Sequence, residues 1–404
     1  MTEPDFAIDA AGYRWRIDLS AVDAPAGMRE LWAHALVPKR GDEPAFRPLP
    51  AQADHAASSA TTLHGDLPIA VPDDPAGFPY ALSYTLTVAT IQRRAGQALL
   101  LHAAGLASDD GRWAVALVAP SGMGKTTAAH GLGRAFGYMS DELVAIERDH
   151  TVHAYAKPLS ILAPGADHKA DTSPDQLGLR RVVRTGDAGP RLAALVLLRR
   201  LPSADRAEDP VLVPIALFDA LPDLVAQTSS LWLQDRPLQW LAEAAQRGGG
   251  PYELRYTDIS DCVSLIGGIF AAPREHEAGA AVVPHPPGAD DRWRQGAAPH
   301  TVPYLVGSVQ ITGGSTVRRR PWTDALEAGG EVLLLIGPEL LRLSGIGALA
   351  WLAAAEGVEV QQLVEIARAE FGEHPDSAEI VDRAVIELIR TGVLILVGAP
   401  EALA

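Results

Sequence analysis

Val118-Ala119-Pro120-Ser121-Gly122-Met123-Gly124-Lys125-Thr126-Thr127 is the stretch on which the reading of this chain turns. Residues 119–126 fit the A/G-x-x-x-x-G-K-S/T form of a phosphate-binding loop, and each residue type has a reason to be there. Gly122 and Gly124 let the backbone turn so that its N–H groups point inward, Lys125 reaches the β- and γ-phosphates, and the Thr126 hydroxyl can ligate Mg²⁺. Ser121, Gly122, Met123, Gly124, Lys125, Thr126 and Thr127 are therefore the candidate nucleotide-binding residues, with ATP and Mg²⁺ as the expected ligands. A chance glycine-rich turn before a helix is the alternative. The flanks argue against it: residues 113–119 are an apolar run of strand length, and residues 128–136 suit a helix despite two glycines, which is the context such a loop requires.

A triphosphate site also needs a carboxylate at the end of a neighbouring strand. Asp141 and Glu142 begin an apolar run about fifteen residues after Lys125, so Asp141 is a candidate catalytic acid and Glu142 a second metal-site candidate beside Thr126. The other reading of this pair is an ordinary acidic turn. His102 lies inside the apolar run 98–107, where a histidine is either a satisfied core residue or a catalytic group.

Working outward, 404 residues correspond to two or three domains at roughly 150 residues each. Residues 1–96 read as a small, mostly β, N-terminal α+β region: residues 13–18 alternate, turns around Val71 break the segment, and a helix is expected from 78 to 94 although Thr85, Thr87 and Thr90 weaken it. Residues 97–277 read as one α/β domain, with strands at 98–107, 113–119, 138–146, 192–198 and 252–256 and helices near 216–226, 238–246 and 258–270. Residues 278–303 have the Pro/Gly/Ala composition of a linker. In residues 304–404, a hairpin at 331–344 is followed by three amphipathic helices and a strand at 393–397, a winged-helix-like arrangement.

Lys+Arg 34 against Asp+Glu 50 leaves a net charge of −16, which argues against a chain that coats nucleic acid or an anionic membrane. The basic triplet Arg318-Arg319-Arg320 reads as a solvated stretch. One cysteine, Cys262, excludes an intrachain disulfide framework and reads as a small core residue. His285 and His300 in the linker make a poor metal site. With no secretory pattern and no uncharged apolar run of about 18 residues, the expected location is the cytoplasm.

The order of His102-Ala-Ala-Gly, the loop, Gly137-Tyr-Met-Ser-Asp-Glu-Leu-Val and Lys157-Pro-Leu-Ser resembles the HPr kinase/phosphorylase family, over about residues 97–272. The resemblance implies a P-loop kinase core of the HPr kinase/PEP carboxykinase type that phosphorylates a protein serine. It places His102 on the family's strand histidine, Lys125 and Thr126 in the triphosphate and Mg²⁺ roles, and Asp141 on the acid that orients or deprotonates the acceptor hydroxyl. Glu142 stands where the family has a second aspartate. Two departures qualify it: Thr126-Thr127 replaces the serine and glutamate after the loop lysine, and the downstream arginine- and asparagine-rich signature is missing. The dephosphorylating reaction and the HPr substrate are not carried over.

The segment from Glu331 through the helices to Val393-Leu resembles the PqqD family of winged-helix domains, which bind leader peptides of ribosomally made, modified peptides by strand pairing. The combined expectation is a serine kinase whose substrate is a peptide or protein, such as a precursor peptide. The alternatives are an ATP-dependent peptide-delivery protein without phosphotransfer, and a DNA-binding winged helix, which the acidic residues 365–373 disfavour.

Overall fold

Leu192 to Leu198 are buried without interruption, the pattern of a strand covered on both faces. This strand, Arg191–Arg200, is central in a six-stranded sheet of order Val211–Pro214, Tyr252–Tyr256, Arg191–Arg200, Trp113–Val118, Ala103–Ala107, Gly137–Ser140. It pairs in parallel with Trp113–Val118 and Tyr252–Tyr256, while the outer pairings are antiparallel. The computed structural model describes residues 5–20, 22–48, 77–161, 169–183, 189–202, 209–272, 281–287 and 309–397. The turns around Val71, most of the 278–303 stretch and His300 lie outside them. The fold is mixed α/β with several sheets, and the chain divides into two compact units, Met1–Gln234 with Leu241–Gly279 and Asp235–Trp240 with Ala280–Ala404.

In the first unit, two runs that the sequence presents as single strands each change sheets partway. Leu99–Leu101 belongs to a smaller sheet of order Val152–His153, Val144–Ile146, Leu99–Leu101, Thr228–Ser229, whereas Ala103–Ala107 belongs to the six-stranded one. Gly137–Ser140 and Val144–Ile146 divide in the same way. The crossovers fall at His102 and at residues 141–143. An apolar run shows that backbone is buried and extended, but not which sheet it joins, so the single-strand readings of 98–107 and 138–146 are corrected here.

The helix after the glycine-rich loop begins at Lys125 rather than 128, running Lys125–Leu132. Its internal glycine is explained by a close approach: a Cβ on Gly131 would stand 2.7 Å from Ile259 Cγ2. Ala128, Ala129 and Leu132 join the strand residues Leu106, Val115, Leu117 and Val196 in one core. Cys262 is fully buried in it as a free thiol, pushed up to about 12 by burial and the nearby Asp261 and Asp258.

The N-terminal hairpin Asp5–Ala10 and Tyr13–Asp18 turns through Ala11 and Gly12, both at positive φ, as a tight two-residue hairpin turn requires. Phe6, Ile8, Trp15 and Ile17 pack with Phe78, Leu82 and Leu86 of the helix Phe78–Arg94. That helix accommodates its threonines by hydrogen bonding: Thr85 and Thr87 hydroxyls donate to carbonyls four residues back, and Thr90 accepts from the Trp15 indole.

In the second unit, a sheet of order Val283–Pro284, Asp324–Ala328, Glu331–Ile336, Glu339–Leu343 and a three-stranded sheet with Thr316–Arg319 at its centre accompany three helices, Gly345–Ala353, Val360–Phe371 and Ser377–Arg390. Leu363, Val364, Val381, Val385 and Leu388 bring the periodic apolar faces of the last two into one core. Within the basic triplet Arg318 is exposed, as a solvated stretch would be, but Arg319 and Arg320 are only partly so. Arg319 lies in the central strand with its guanidinium 3.7 Å from the Trp351 ring centroid, donating to the Trp351 and Leu352 carbonyls at 2.7 and 2.9 Å. A cation on the last carbonyls of Gly345–Ala353 serves as its C-terminal cap. His285 Nε2 meets Glu327 Oε2 at 2.7 Å, a structural pairing within this unit. Among the described residues, no helix is long and apolar enough to cross a membrane.

Candidate functional site

The loop between Trp113–Val118 and Lys125–Leu132 holds Gly122 at φ 80° and Gly124 at φ 95°. These left-handed conformations suit glycine, and the space around both positions would admit a Cβ, so the requirement is one of backbone conformation rather than room. Gly124 is the N-cap of the helix, no side chain caps that end, and its first turn carries no acidic residue. The first-turn N–H groups and the helix dipole therefore offer an anion-binding end. Lys125 folds back so that Nζ donates to the Ala119 and Pro120 carbonyls at 2.6 and 3.2 Å. Burial lowers its pKa, against the opposing charges of Glu142 and Asp141.

A cleft of about 490 Å³ opens over this loop. Ser121, Gly122, Gly124, Lys125, Thr126 and Thr127 line it. Met123 does not; the residue is 44% exposed, and its amide donates to the Pro120 carbonyl within the turn. Asp141, Glu142 and His102 line the same cleft, so the two strand crossovers deliver to the loop the acids and the histidine that the sequence singled out.

Asp141 is almost fully enclosed. Its Oδ2 accepts from the Thr126 hydroxyl at 3.1 Å, and its Oδ1 accepts from the Tyr138 hydroxyl at 3.3 Å and pairs with Lys157 Nζ at 3.2 Å. Lys157 also pairs with Glu142 Oε2 at 3.2 Å, but the Glu142 side chain stays 42% exposed to the cleft. Burial works against the charge on Lys157, yet Asp141 and Glu142 outweigh it and hold its pKa above the ordinary lysine value. Burial and Asp141 together push the Tyr138 hydroxyl well above its ordinary value, so it stays a donor.

His102 opens onto the cleft with Nε2 2.9 Å from the Ser229 hydroxyl, and its backbone N–H donates to the Gln227 carbonyl. Enclosure by protein, followed by the Lys125 charge, lowers its pKa, with Glu142 opposing. The ring is thus neutral near pH 7.

Lys157 is the site residue whose role the sequence left unassigned, although Lys157-Pro-Leu-Ser was one of the segments that carried the family resemblance. Ser160 also lines the cleft and donates to Asp171 at 2.6 Å. Tyr80, Ser83 and Tyr84 of the helix Phe78–Arg94 complete one side, and nothing in their sequence pattern distinguished them from other helix residues.

Among the described residues, no three His, Cys, Asp or Glu side chains form a group that could hold a metal ion by themselves. The Thr126 hydroxyl with the Asp141 carboxylate still fits a magnesium ion, which takes one or two protein oxygens and completes its shell with water and phosphate. The glycine loop, the free helix end and Lys125 likewise fit a triphosphate. No protein-family model matches this chain, and no curated protein matches it.

Proposed function

We propose that this chain is an ATP-dependent kinase with a core of the HPr kinase/PEP carboxykinase type, which phosphorylates a serine in a peptide or protein. Its acceptor class is a ribosomally made precursor peptide, recruited by a PqqD-like second unit. The observation that supports this best is the 3.1 Å contact between Thr126 Oγ1 and Asp141 Oδ2, which joins the phosphate-loop hydroxyl to a strand-end carboxylate beside Lys125.

Bound Mg·ATP would supply the transferable γ-phosphoryl group and the cation that offsets its charge. The loop amides and the first turn of Lys125–Leu132 would hold the phosphates, and Lys125, released from the Ala119 and Pro120 carbonyls, would neutralise their charge. Thr126, Asp141 and the exposed carboxylate of Glu142 are the oxygens for the cation. Asp141, fixed by Tyr138 and Lys157, orients the acceptor hydroxyl, and neutral His102 is the nearby group able to take up a proton. Such catalysis rests on positioning and electrostatics.

One observation favours a second reading, nucleotide-gated peptide delivery without transfer: Lys157 already neutralises both acids from within the protein. Incubation with γ-labelled ATP and serine-containing peptides separates the two. Label should move to peptide, and Asp141→Asn should abolish transfer while retaining ATP binding. ATP binding by wild type with no labelled acceptor, including peptides encoded beside its gene, decides for the second reading.

A further inference from the structure

The helix Phe78–Arg94 has two occupied faces. Phe78, Leu82, Leu86 and Ala89 pack inward, while Tyr80, Ser83, Tyr84 and Thr87 form a row on another side. The row ends at the candidate acids, where Thr87 Oγ1 lies 3.4 Å from Glu142 Oε2. Tyr84 and Tyr80 follow one and two turns further out, both lining the cleft and 59% and 44% exposed.

We infer that Tyr80 and Tyr84 form a wall that holds the acceptor peptide beside its phosphorylated residue, stacking on an aromatic or aliphatic side chain there. This rests on the kinase reading above. A helix rises about 1.5 Å per residue, so the row from Thr87 to Tyr80 is about 10 Å long. An extended peptide advances about 3.3 Å per residue, so the wall spans about three acceptor residues leading away from the carboxylates. Thr87 ties the wall to the acid side of the site, where the acceptor hydroxyl must lie, so the acceptor rather than the nucleobase is its occupant. Two large, rigid, exposed aromatic faces with hydroxyl tips suit contact with a peptide that must bind and leave.

The test is steady-state labelling of a positional-scanning library of peptides with one central serine by wild type, Tyr80→Ala/Tyr84→Ala and Tyr80→Phe/Tyr84→Phe. Wild type should prefer an aromatic or aliphatic residue within three positions on one side of the serine. The alanine pair should lose that preference and raise the KM of the best peptide about tenfold, the loss expected for two aromatic contacts. Its KM for ATP should not change, and the phenylalanine pair should retain the preference. An unchanged preference in the alanine pair overturns the inference while leaving the kinase reading intact, and a raised KM for ATP alone assigns the wall to the nucleobase and also overturns it. Transfer by wild type to no peptide removes the kinase reading and this inference together.

Discussion

Lys157 and Asp141 form an ion pair at 3.2 Å with each side chain only 3% exposed, directly behind the Thr126 hydroxyl. A buried pair of this kind adds little net stability against an apolar replacement of both partners, but it is costly to break, because the remaining charge is stranded. Lys157→Met should therefore destabilise the protein by about 3–5 kcal/mol in denaturant unfolding. Lys157→Met combined with Asp141→Asn should recover a substantial part of that loss. A single-variant loss below about 1 kcal/mol would show that water reaches Asp141 and that the pair is not sequestered.

Gly124 and Gly131 differ in what an added methyl group meets, so the same substitution should act differently at each. At Gly124 the φ of 95° is the obstacle, since the nearest atom, Tyr256 Oη, is at an ordinary 3.7 Å. Gly124→Ala should cost about 1–2 kcal/mol of stability, and it should weaken binding of a fluorescent ATP analogue by more than that strain alone explains, because the loop amides are re-aimed. At Gly131 the obstacle is Ile259, whose Cγ2 would stand 2.7 Å from an added Cβ. Gly131→Ala should lower stability and leave the affinity of the folded protein for the analogue within a few-fold of wild type. Equal affinity losses at both positions would argue against a phosphate role for the loop.

The elements legible from sequence are those with strong periodic or continuous burial: 113–118, 192–198, 360–371 and 377–390 announce themselves because every residue of one face, or of both, is apolar. The strand–turn–helix around residues 119–126 was legible because two glycines that can take positive φ stand between an apolar run and a helix-compatible one. The sheet crossovers at His102 and Asp141 were not, since local pattern carries no information about which long-range partner a strand finds. Lys157 and Arg319 escaped for a related reason. A cation in sequence looks solvated until the fold supplies its partners: Asp141 and Glu142 for Lys157, and the Trp351 ring with the carbonyls of a helix end for Arg319.

His102 sets a pH expectation. Its pKa is lowered from an ordinary 6.5 by enclosure and then by the Lys125 charge. In the imidazole proton spectrum, its ring should titrate below pH 6.5. The unfolded chain binds this proton at higher pH than the folded one, so stability is complete above about pH 6.5 and declines as pH falls through the folded pKa. His102→Gln should remove that part of the acid sensitivity. Titration at or above 6.5 would show that enclosure and the Lys125 charge together fail to outweigh Glu142 at the ring.

Arg319 offers a separate test in the second unit. Its side chain combines a face-on contact with Trp351 and two donated hydrogen bonds to carbonyls at the end of Gly345–Ala353. Charged hydrogen bonds to a helix end and a half-buried cation–π contact are each worth on the order of 1 kcal/mol, so Arg319→Met should cost about 2 kcal/mol. Lysine keeps the charge but not the planar fork, so Arg319→Lys should recover less than half of that loss. The readout is hydrogen exchange, because the loss has a location: protection should fall in Gly345–Ala353 and in the strand Thr316–Arg319 before it falls in the six-stranded sheet of the first unit. Unchanged protection of Gly345–Ala353 in Arg319→Met would mean that packing of Trp351 and Ala350 alone holds that helix end, and that the guanidinium is a passenger on the ring.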